Sequence, residues 1–479
     1  MMRGLCETNH APSRNLKLKL TNSNQMKRLK SHCLSLLAVA VLGAGPAQAQ
    51  TNDTSAAIAE LQKQIKALQD EVGRLKTVSI PANTTMPATS DTPTGAANHD
   101  LLGKEFLKAK GLTLGFYGET KYRLPERGAD SFDAHRYVLT PSYEISDWLI
   151  FNSELELEHG GVDESTGRGS RFDGELEIEQ FYVDILVNEH FNIRSLGIDL
   201  VPVGRINTTH EPTTFYSTER PELYREIIPS TWMEPSIGVF GKITDTLDYR
   251  VMISTGLEDA AASATNAAGI TAINGLRDAR PRMRRANESN LAYSGRLHFN
   301  GIEGLDASTS FYHSTVEGFN RQQTDLTLWD IEAMYRVPGT GLELRGDFAC
   351  WFISNPENLI ANNTGLASDN LGDRMYGWYG EAAYHIWPEA WRKGRGERMD
   401  LVPFVRYSSI VTQSGLSGAG TGITDGTANR DFLTFGASWF LNEHFVVKGD
   451  WRRNLDSSAN SATSAASQDY FQLGVGMFF

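Results

Sequence analysis

The chain ends in Tyr470-Phe-Gln-Leu-Gly-Val-Gly-Met-Phe-Phe479, where every second residue from Phe471 to Phe479 is large and apolar. Successive side chains of an extended strand point to opposite faces, so these apolar residues share one face. The residues between them include Gln472, Gly474 and Gly476. The segment therefore predicts an amphipathic β-strand at the carboxyl end.

The same alternation recurs through residues 111–479, for example in Leu149-Ile-Phe-Asn-Ser-Glu-Leu-Glu-Leu-Glu158. Segments of about ten residues in which apolar and polar side chains alternate are typical of outer-membrane β-barrels. We predict about sixteen strands, which begin near residues 112, 133, 147, 174, 195, 235, 248, 290, 305, 325, 342, 374, 400, 430, 445 and 470.

A soluble β-sandwich would also alternate, so the lengths of the connections decide between the two folds. Short turns such as Thr244-Asp245-Thr246 alternate with long loops near 160–173, 206–234, 256–289, 354–373, 411–429 and 454–469. One longer turn, Trp387 to Met399, is the exception on the short-turn side. Short turns at one rim and long loops at the other favour a bacterial barrel. The predicted fold class is all-β: an antiparallel transmembrane β-barrel of about sixteen strands at residues 111–479, with both termini in the periplasm.

Residues 1–49 contain the three parts of a secretory signal peptide. Lys27, Arg28 and Lys30 precede the apolar run Leu34–Leu42, and small residues follow up to Ala49. A spanning helix needs about 20 apolar residues, so cleavage after Ala49 is favoured over a permanent anchor. Because Met26 lies where such a leader begins, residues 1–25 are expected to precede the true start.

A 3.5-residue apolar period follows the leader. Ile58, Leu61, Ile65, Leu68, Val72 and Leu75 form one seam along a helix, which predicts a coiled-coil oligomerisation helix at residues 50–77. The alternative is a single amphipathic helix packed on its own domain. Residues 78–110 are a predicted linker.

Composition excludes several classes of function. Hydrophobic residues make up 40% and charged residues 22% of the 479 residues, so the chain is not a disordered polyelectrolyte. A net charge of −13 argues against a nucleic-acid partner. Of Cys6, Cys33 and Cys350, only Cys350 lies beyond the leader, so one mature chain has no disulfide framework and no cysteine-based metal site. We predict no cofactor and no metal.

Positions that alternate with the apolar residues should face a water-filled lumen. The predicted basic lining is Lys121, Arg123, Arg136, Arg250, Arg296, Arg336, Arg345, Arg406, Lys448 and Arg452. The predicted acidic lining is Glu154, Glu156 and Glu158. Basic and acidic walls on opposite sides would create a transverse field that orients polar or anionic solutes. The alternative is a solvated lumen wall on which basic and acidic side chains form pairs that neutralise each other.

The connection Arg205–Pro235 is unusually long, polar and rich in proline. Folded into the barrel, it would narrow the pore. It could instead bind a neighbouring subunit or cover the outer mouth. The side chains that it offers to a constriction are Glu211, Glu219, Arg220, Glu222, Arg225 and Glu226.

Four segments resemble the phosphate-selective porin O/P family: Gly204-Arg-Ile-Asn-Thr-Thr-His-Glu-Pro212, Gly238-Val-Phe-Gly241, Tyr376-Gly-Trp-Tyr-Gly-Glu-Ala-Ala-Tyr384 and Gly436-Ala-Ser-Trp-Phe-Leu-Asn-Glu-His444. The resemblance covers most of residues 101–479 and the heptad extension. It implies a sixteen-stranded trimeric barrel with loops folded inward. In phosphate-specific members an arginine ladder and a lysine cluster guide the anion, whereas Lys121 and Lys448 stand singly here. We assign no phosphate-site residue.

The sequence thus predicts a porin of the bacterial outer membrane that is not an enzyme. Small hydrophilic solutes, with anions such as phosphate among the candidates, would diffuse passively through a homotrimer embedded in outer-membrane lipid. The alternatives are a structural tether and a barrel hydrolase. None of the histidines lies in a nucleophile motif such as G-x-S-x-G, which disfavours the hydrolase.

Overall fold

The computed structural model describes residues 66, 108–109, 111–162, 174–259, 269–281, 290–318, 321–364, 369–415, 428–455 and 468–479. The predicted signal peptide, the heptad helix apart from Lys66, and most of the linker lie outside the described residues. The chain falls into two compact units, Met1–Pro93 and Thr94–Phe479, and every strand below belongs to the second. No helix in the described part of the chain combines the length and the apolar character that crossing a membrane requires.

The second unit is built from antiparallel strands, and all of them except the two-residue first strand are long. They are β1 (Lys108–Ala109), β2 (Leu112–Pro125), β3 (Ser131–Ser146), β4 (Leu149–Glu158), β5 (Leu176–Leu186), β6 (Asn192–Leu200), β7 (Met233–Thr244), β8 (Leu247–Thr255), β9 (Leu291–Phe299), β10 (Leu305–Glu317), β11 (Gln323–Arg336), β12 (Leu342–Ile353), β13 (Arg374–Tyr384), β14 (Asp400–Ser414), β15 (Arg430–Asn442), β16 (Phe445–Asn454) and β17 (Tyr470–Phe478).

Strands β2 to β17 pair in chain order, and β17 pairs with β2. Tyr470 lies opposite Pro125 and Phe478 opposite Tyr117, while the terminal Phe479 exchanges two backbone hydrogen bonds with Phe116. Closure leaves no unpaired edge, which is what allows a sheet to cross a bilayer. Within the described residues the fold is therefore a closed sixteen-stranded antiparallel barrel, and the predicted barrel and strand number are confirmed. The two-residue strand β1 pairs with the start of β2.

The two faces of the barrel differ as the alternation predicts. Large apolar residues on alternate positions are exposed, among them Tyr137, Leu155 and Trp329. Their neighbours Arg136, Glu154 and Asp330 are buried. Exposed apolar side chains on one face suit contact with acyl chains, whereas buried charges on the other face need polar partners.

Turns of two to five residues follow β3, β5, β7, β9, β11 and β15, and long connections follow β4, β6, β8, β12, β14 and β16. The connections at 126–130 and 318–322 are short although they lie at the long-loop rim. The longer turn between β13 and β14, at the other rim, contains the one-turn helices Glu389–Trp391 and Gly394–Gly396.

One sequence-based expectation about the interior is wrong. We expected polar residues at the inward positions, but Met252, Tyr312, Leu328, Trp351 and Met375 are buried there and form one apolar cluster with residues of the connection between β6 and β7. The connection brings its own apolar side chains against these strands, and burying both sets removes them from water.

Candidate functional site

The connection between β6 and β7, residues 201–232, contains two one-turn helices, Arg205–Thr208 and Leu223–Glu226. We call it the β6–β7 loop. Gly204 precedes the first helix with φ of 69°, and a Cβ atom there would lie 2.6 Å from Cε1 of Tyr224. Only glycine combines this backbone conformation with so close an approach.

The apolar side of this loop is fully buried. Phe215, Leu223, Ile227 and Trp232 belong to the interior apolar cluster. The ring of Trp232 lies 4.6 Å from that of Tyr312 on β10. Because burying a large apolar side chain stabilises by about 1.5–3 kcal/mol, this packing holds the loop against the strands.

Polar contacts tie the same loop to strands all round the barrel. Within the described residues its bonding partners include Tyr117 and Arg136 on β2 and β3, Arg296 on β9, Glu332 on β11, Glu343, Arg345 and Trp351 on β12, Arg406 on β14, Ser438 on β15, and Lys448 and Asp450 on β16. A segment bonded to strands on both sides of a closed sheet is held at many points, so its position is strongly determined.

His210 is one of the buried residues that make these contacts. Its Nδ1 lies 3.1 Å from the carbonyl oxygen of Asn207, and its Nε2 lies 2.7 Å from the hydroxyl of Tyr117. Burial, with the charge of Arg220, lowers the pKa of His210 to about 4, so the ring is neutral near pH 7. A carbonyl oxygen only accepts, so Nδ1 carries the hydrogen and Nε2 accepts from Tyr117. The same hydroxyl lies 2.6 Å from Oε1 of Glu154.

A cavity of about 590 Å³ lies beside the β6–β7 loop, towards the long-loop rim. Its cationic lining consists of Lys121, Arg123, Arg136, Arg220, Arg225, Arg277, Arg280 and Arg452. Its acidic lining consists of Asp133, Glu156, Glu158, Glu175, Glu177, Glu219 and Glu222. Charges of both signs in nearly equal number give this space a strong internal field without a large net charge.

The predicted basic lining divides into two groups. Lys121, Arg123, Arg136 and Arg452 line the cavity. The others form contacts elsewhere: Arg250 with Asp199, Arg296 with Glu332, Arg336 and Arg345 with Glu343, Arg406 with Glu381, and Lys448 with the carbonyl of Ser217. For the five arginines of this second group the contacts match the alternative of neutralising pairs, whereas Lys448 donates to a neutral carbonyl group.

The predicted acidic set is part of a larger group. Glu156 and Glu158 line the cavity, whereas Glu154 lies behind them at Tyr117. Glu177 is directly opposite Glu156 in the strand register. Glu175, Glu177 and Glu179 were missed at the sequence level, although they alternate as Glu154, Glu156 and Glu158 do. We call these six residues the acidic ladder.

Four of the six predicted constriction residues, Glu219, Arg220, Glu222 and Arg225, line the cavity. Glu219 accepts from Lys121 at 3.0 Å and from Arg123 at 2.8 Å. Burial disfavours its charge, but Lys121, His135 and Arg123 outweigh this effect and hold the pKa of Glu219 well below its ordinary value.

The other two lie outside the cavity lining. Glu226 is buried, with Oε1 3.5 Å from Nη1 of Arg430, and Glu211 is half-buried. Arg277 and Arg280 were also missed, because they come from the connection between β8 and β9, whose path no local pattern reveals.

No family model matches this chain. An uncharacterized protein from Aquifex aeolicus (strain VF5) is 31% identical over 291 residues, which is 59% of this chain and 63% of that protein. The chain therefore covers less than two thirds of that relative's length.

The solved structures that this chain resembles include outer-membrane proteins. OmpF of Salmonella typhi in complex with daunomycin matches 78% of this chain and 99% of its own, with 12% identity and a TM-score of 0.50. An anion-selective porin from Comamonas acidovorans matches 77% of this chain and 99% of its own, with 12% identity and a TM-score of 0.46. At such identities the likeness to OmpF is one of fold.

Proposed function

We propose that this chain is a porin of the bacterial outer membrane, through which small hydrophilic solutes diffuse passively. The observation that carries the proposal is the path of the β6–β7 loop, bonded to the buried faces of strands from β2 to β16, beside a charged cavity. A barrel of this strand number encloses an aqueous channel, and an inward loop narrows it without closing it.

Charge near the loop supplies selectivity. Arg220 and Arg225 belong to the loop, and Lys121 and Arg123 reach the cavity from β2. The acidic ladder lies near them, on β4, on β5 and at Glu175 just before β5, with β3 between β2 and β4. A solute crossing this field is oriented and makes several weak contacts, which suits passage better than one tight site. Small anions such as phosphate are candidate solutes because several arginine side chains converge on the cavity.

The finer parts of the proposal rest on sequence. The O/P-type segments, the heptad at 58–75 and the leader favour a phosphate-selective porin O/P relative that assembles as a homotrimer, with its helix in the periplasm and no enzymatic activity. The solute gradient supplies the driving force.

Planar bilayers test the channel directly. Purified protein should give stepwise, ohmic conductance, and heat-unfolded protein should not. Reversal potentials across a salt gradient, with and without phosphate, then report selectivity. Ester turnover without conductance steps would support the hydrolase. The absence of both ester turnover and conductance would support the structural tether.

A further inference from the structure

We propose that Asp330, Glu332 and Asp347 form a binding site for a hard divalent cation such as Ca²⁺, which fastens the β6–β7 loop to the barrel wall. Asp330 and Glu332 are two residues apart on β11 and share a face, and Asp347 on β12 lies directly opposite Glu332. One carboxylate oxygen from each lies within 4.8 Å of the others. Two oxygens that share one Ca²⁺ ion at about 2.4 Å are at most about 4.8 Å apart, so this spacing suits the ion.

Two of the three carboxylates, those of Asp330 and Asp347, are poorly satisfied by protein groups, whereas Glu332 accepts from Arg296, Ser308, Tyr224 and the backbone of Arg205. Asp330 is 3% exposed, and although Ser310 lies opposite it on β10, neither of its oxygens accepts a well-formed hydrogen bond from the described residues. Oδ1 of Asp347 likewise accepts no such hydrogen bond from the described residues. A buried, ionised oxygen without a partner is costly, and like charges directly opposite each other across two strands repel. A bound cation would remove both costs.

The charge of the cluster indicates the charge of that partner. Within the described residues, Arg296 forms the cluster's ion pair, with Nη2 2.7 Å from Oε1 of Glu332. One cation offsets one of three carboxylates, which leaves two negative charges for a divalent ion. All the donors are oxygens, the type that Ca²⁺ and Mg²⁺ prefer.

The cluster is joined to the β6–β7 loop through Tyr224. The hydroxyl of Tyr224 lies 2.5 Å from Oδ2 of Asp347 and 2.9 Å from Oε2 of Glu332. One hydroxyl hydrogen cannot serve both carboxylates fully. The backbone N–H of Arg205 also donates to Oε2 of Glu332, at 2.8 Å. An ion that fixes Glu332 and Asp347 thus fixes both short helices of the loop.

Calorimetric titration of the full-length, EDTA-treated protein in detergent with CaCl₂ alone tests the site. Wild type should take up one ion per chain saturably. Asp330→Asn and Asp347→Asn should weaken binding about tenfold or more, since even changes outside the ligand shell cost about 10–100-fold. Asp325→Asn, on the same strand but exposed, is the matched control and should bind as wild type does. Absence of saturable uptake of Ca²⁺ or Mg²⁺ by wild type, or wild-type binding by Asp330→Asn, would overturn the site.

A second measurement covers variants that do not fold. CaCl₂ should raise the unfolding temperature of wild type and Asp325→Asn relative to EDTA. If protons shared between the carboxyl groups neutralise the cluster instead, CaCl₂ and EDTA will give the same unfolding temperature, and the cation proposal is wrong. Conductance of the same preparations separates this proposal from the proposed function, on which it rests. Conductance without Ca²⁺ binding would contradict the cation site alone, whereas Ca²⁺ binding without conductance would contradict the porin function.

Discussion

The hydroxyl of Tyr117, on the first long strand of the barrel, lies 2.7 Å from Nε2 of His210, which is 93 residues further along the chain. Both side chains are buried. The contact joins the wall of the barrel to the β6–β7 loop. The same hydroxyl also contacts Glu154, a member of the acidic ladder. The anchoring of the loop and the charge of the site are therefore coupled at one hydroxyl group.

Tyr117→Phe should destabilise the protein by about 1–3 kcal/mol, because it removes the single buried hydroxyl hydrogen that Nε2 of His210 and Oε1 of Glu154 share. Urea unfolding into lipid vesicles measures the change. Tyr122→Phe is the control, since the hydroxyl of Tyr122 contacts Asp130 at the exposed surface and its loss should cost less than about 0.5 kcal/mol. Equal effects of the two variants would contradict the anchoring role.

Stability should fall as the pH drops from about 6.5 to about 4. The pKa of His210 is about 4 in the folded protein and 6.5 as its ordinary value, so between these values the unfolded chain binds a proton that the folded chain does not. The contribution is complete above pH 6.5 and decreases on acidification, by on the order of 3 kcal/mol in total. Unfolding at pH 7.5 and at pH 4.5 should show a larger loss for wild type than for His210→Gln. The same loss in both proteins would place the dependence elsewhere.

Replacing Arg220 and Arg225 with alanine should raise single-channel conductance and lower anion preference, because two cationic side chains leave the narrowed region. Planar-bilayer recordings and reversal potentials measure both quantities. The control is the pair Arg392→Ala and Arg395→Ala, whose side chains are exposed in the connection between β13 and β14. Unchanged conductance in the Arg220 and Arg225 variant would remove the constriction from the proposal.

Glu156→Gln combined with Glu177→Gln should shift the reversal potential towards anion selectivity. The two residues face each other in the register and line the cavity, so neutralising both removes much of its acidic side. Glu189→Gln, an exposed residue in the connection between β5 and β6, should leave the potential unchanged. A shift of the opposite sign would exclude the acidic ladder as the wall that repels anions.

The strands and their outward faces could be read from the sequence. The predicted starts near 112, 305, 342, 374, 400, 430, 445 and 470 agree with β2, β10, β12, β13, β14, β15, β16 and β17, and the others differ by one to three residues. Acyl chains impose the same requirement on every second residue, whatever its neighbours are, so a local period of two is sufficient to identify a strand.

The interior was decided by tertiary structure. Trp351 and Tyr312 are buried against Trp232 of the loop. No local pattern in the sequence shows which inward positions are covered by the loop and which face water. Likewise, the convergence of Asp330, Glu332 and Asp347 depends on the register between β11 and β12, and the contact between Tyr117 and His210 depends on the path of the β6–β7 loop. Lipid acts on each strand separately, whereas the interior is filled by segments distant in sequence, so only the closed barrel determines which residues meet there.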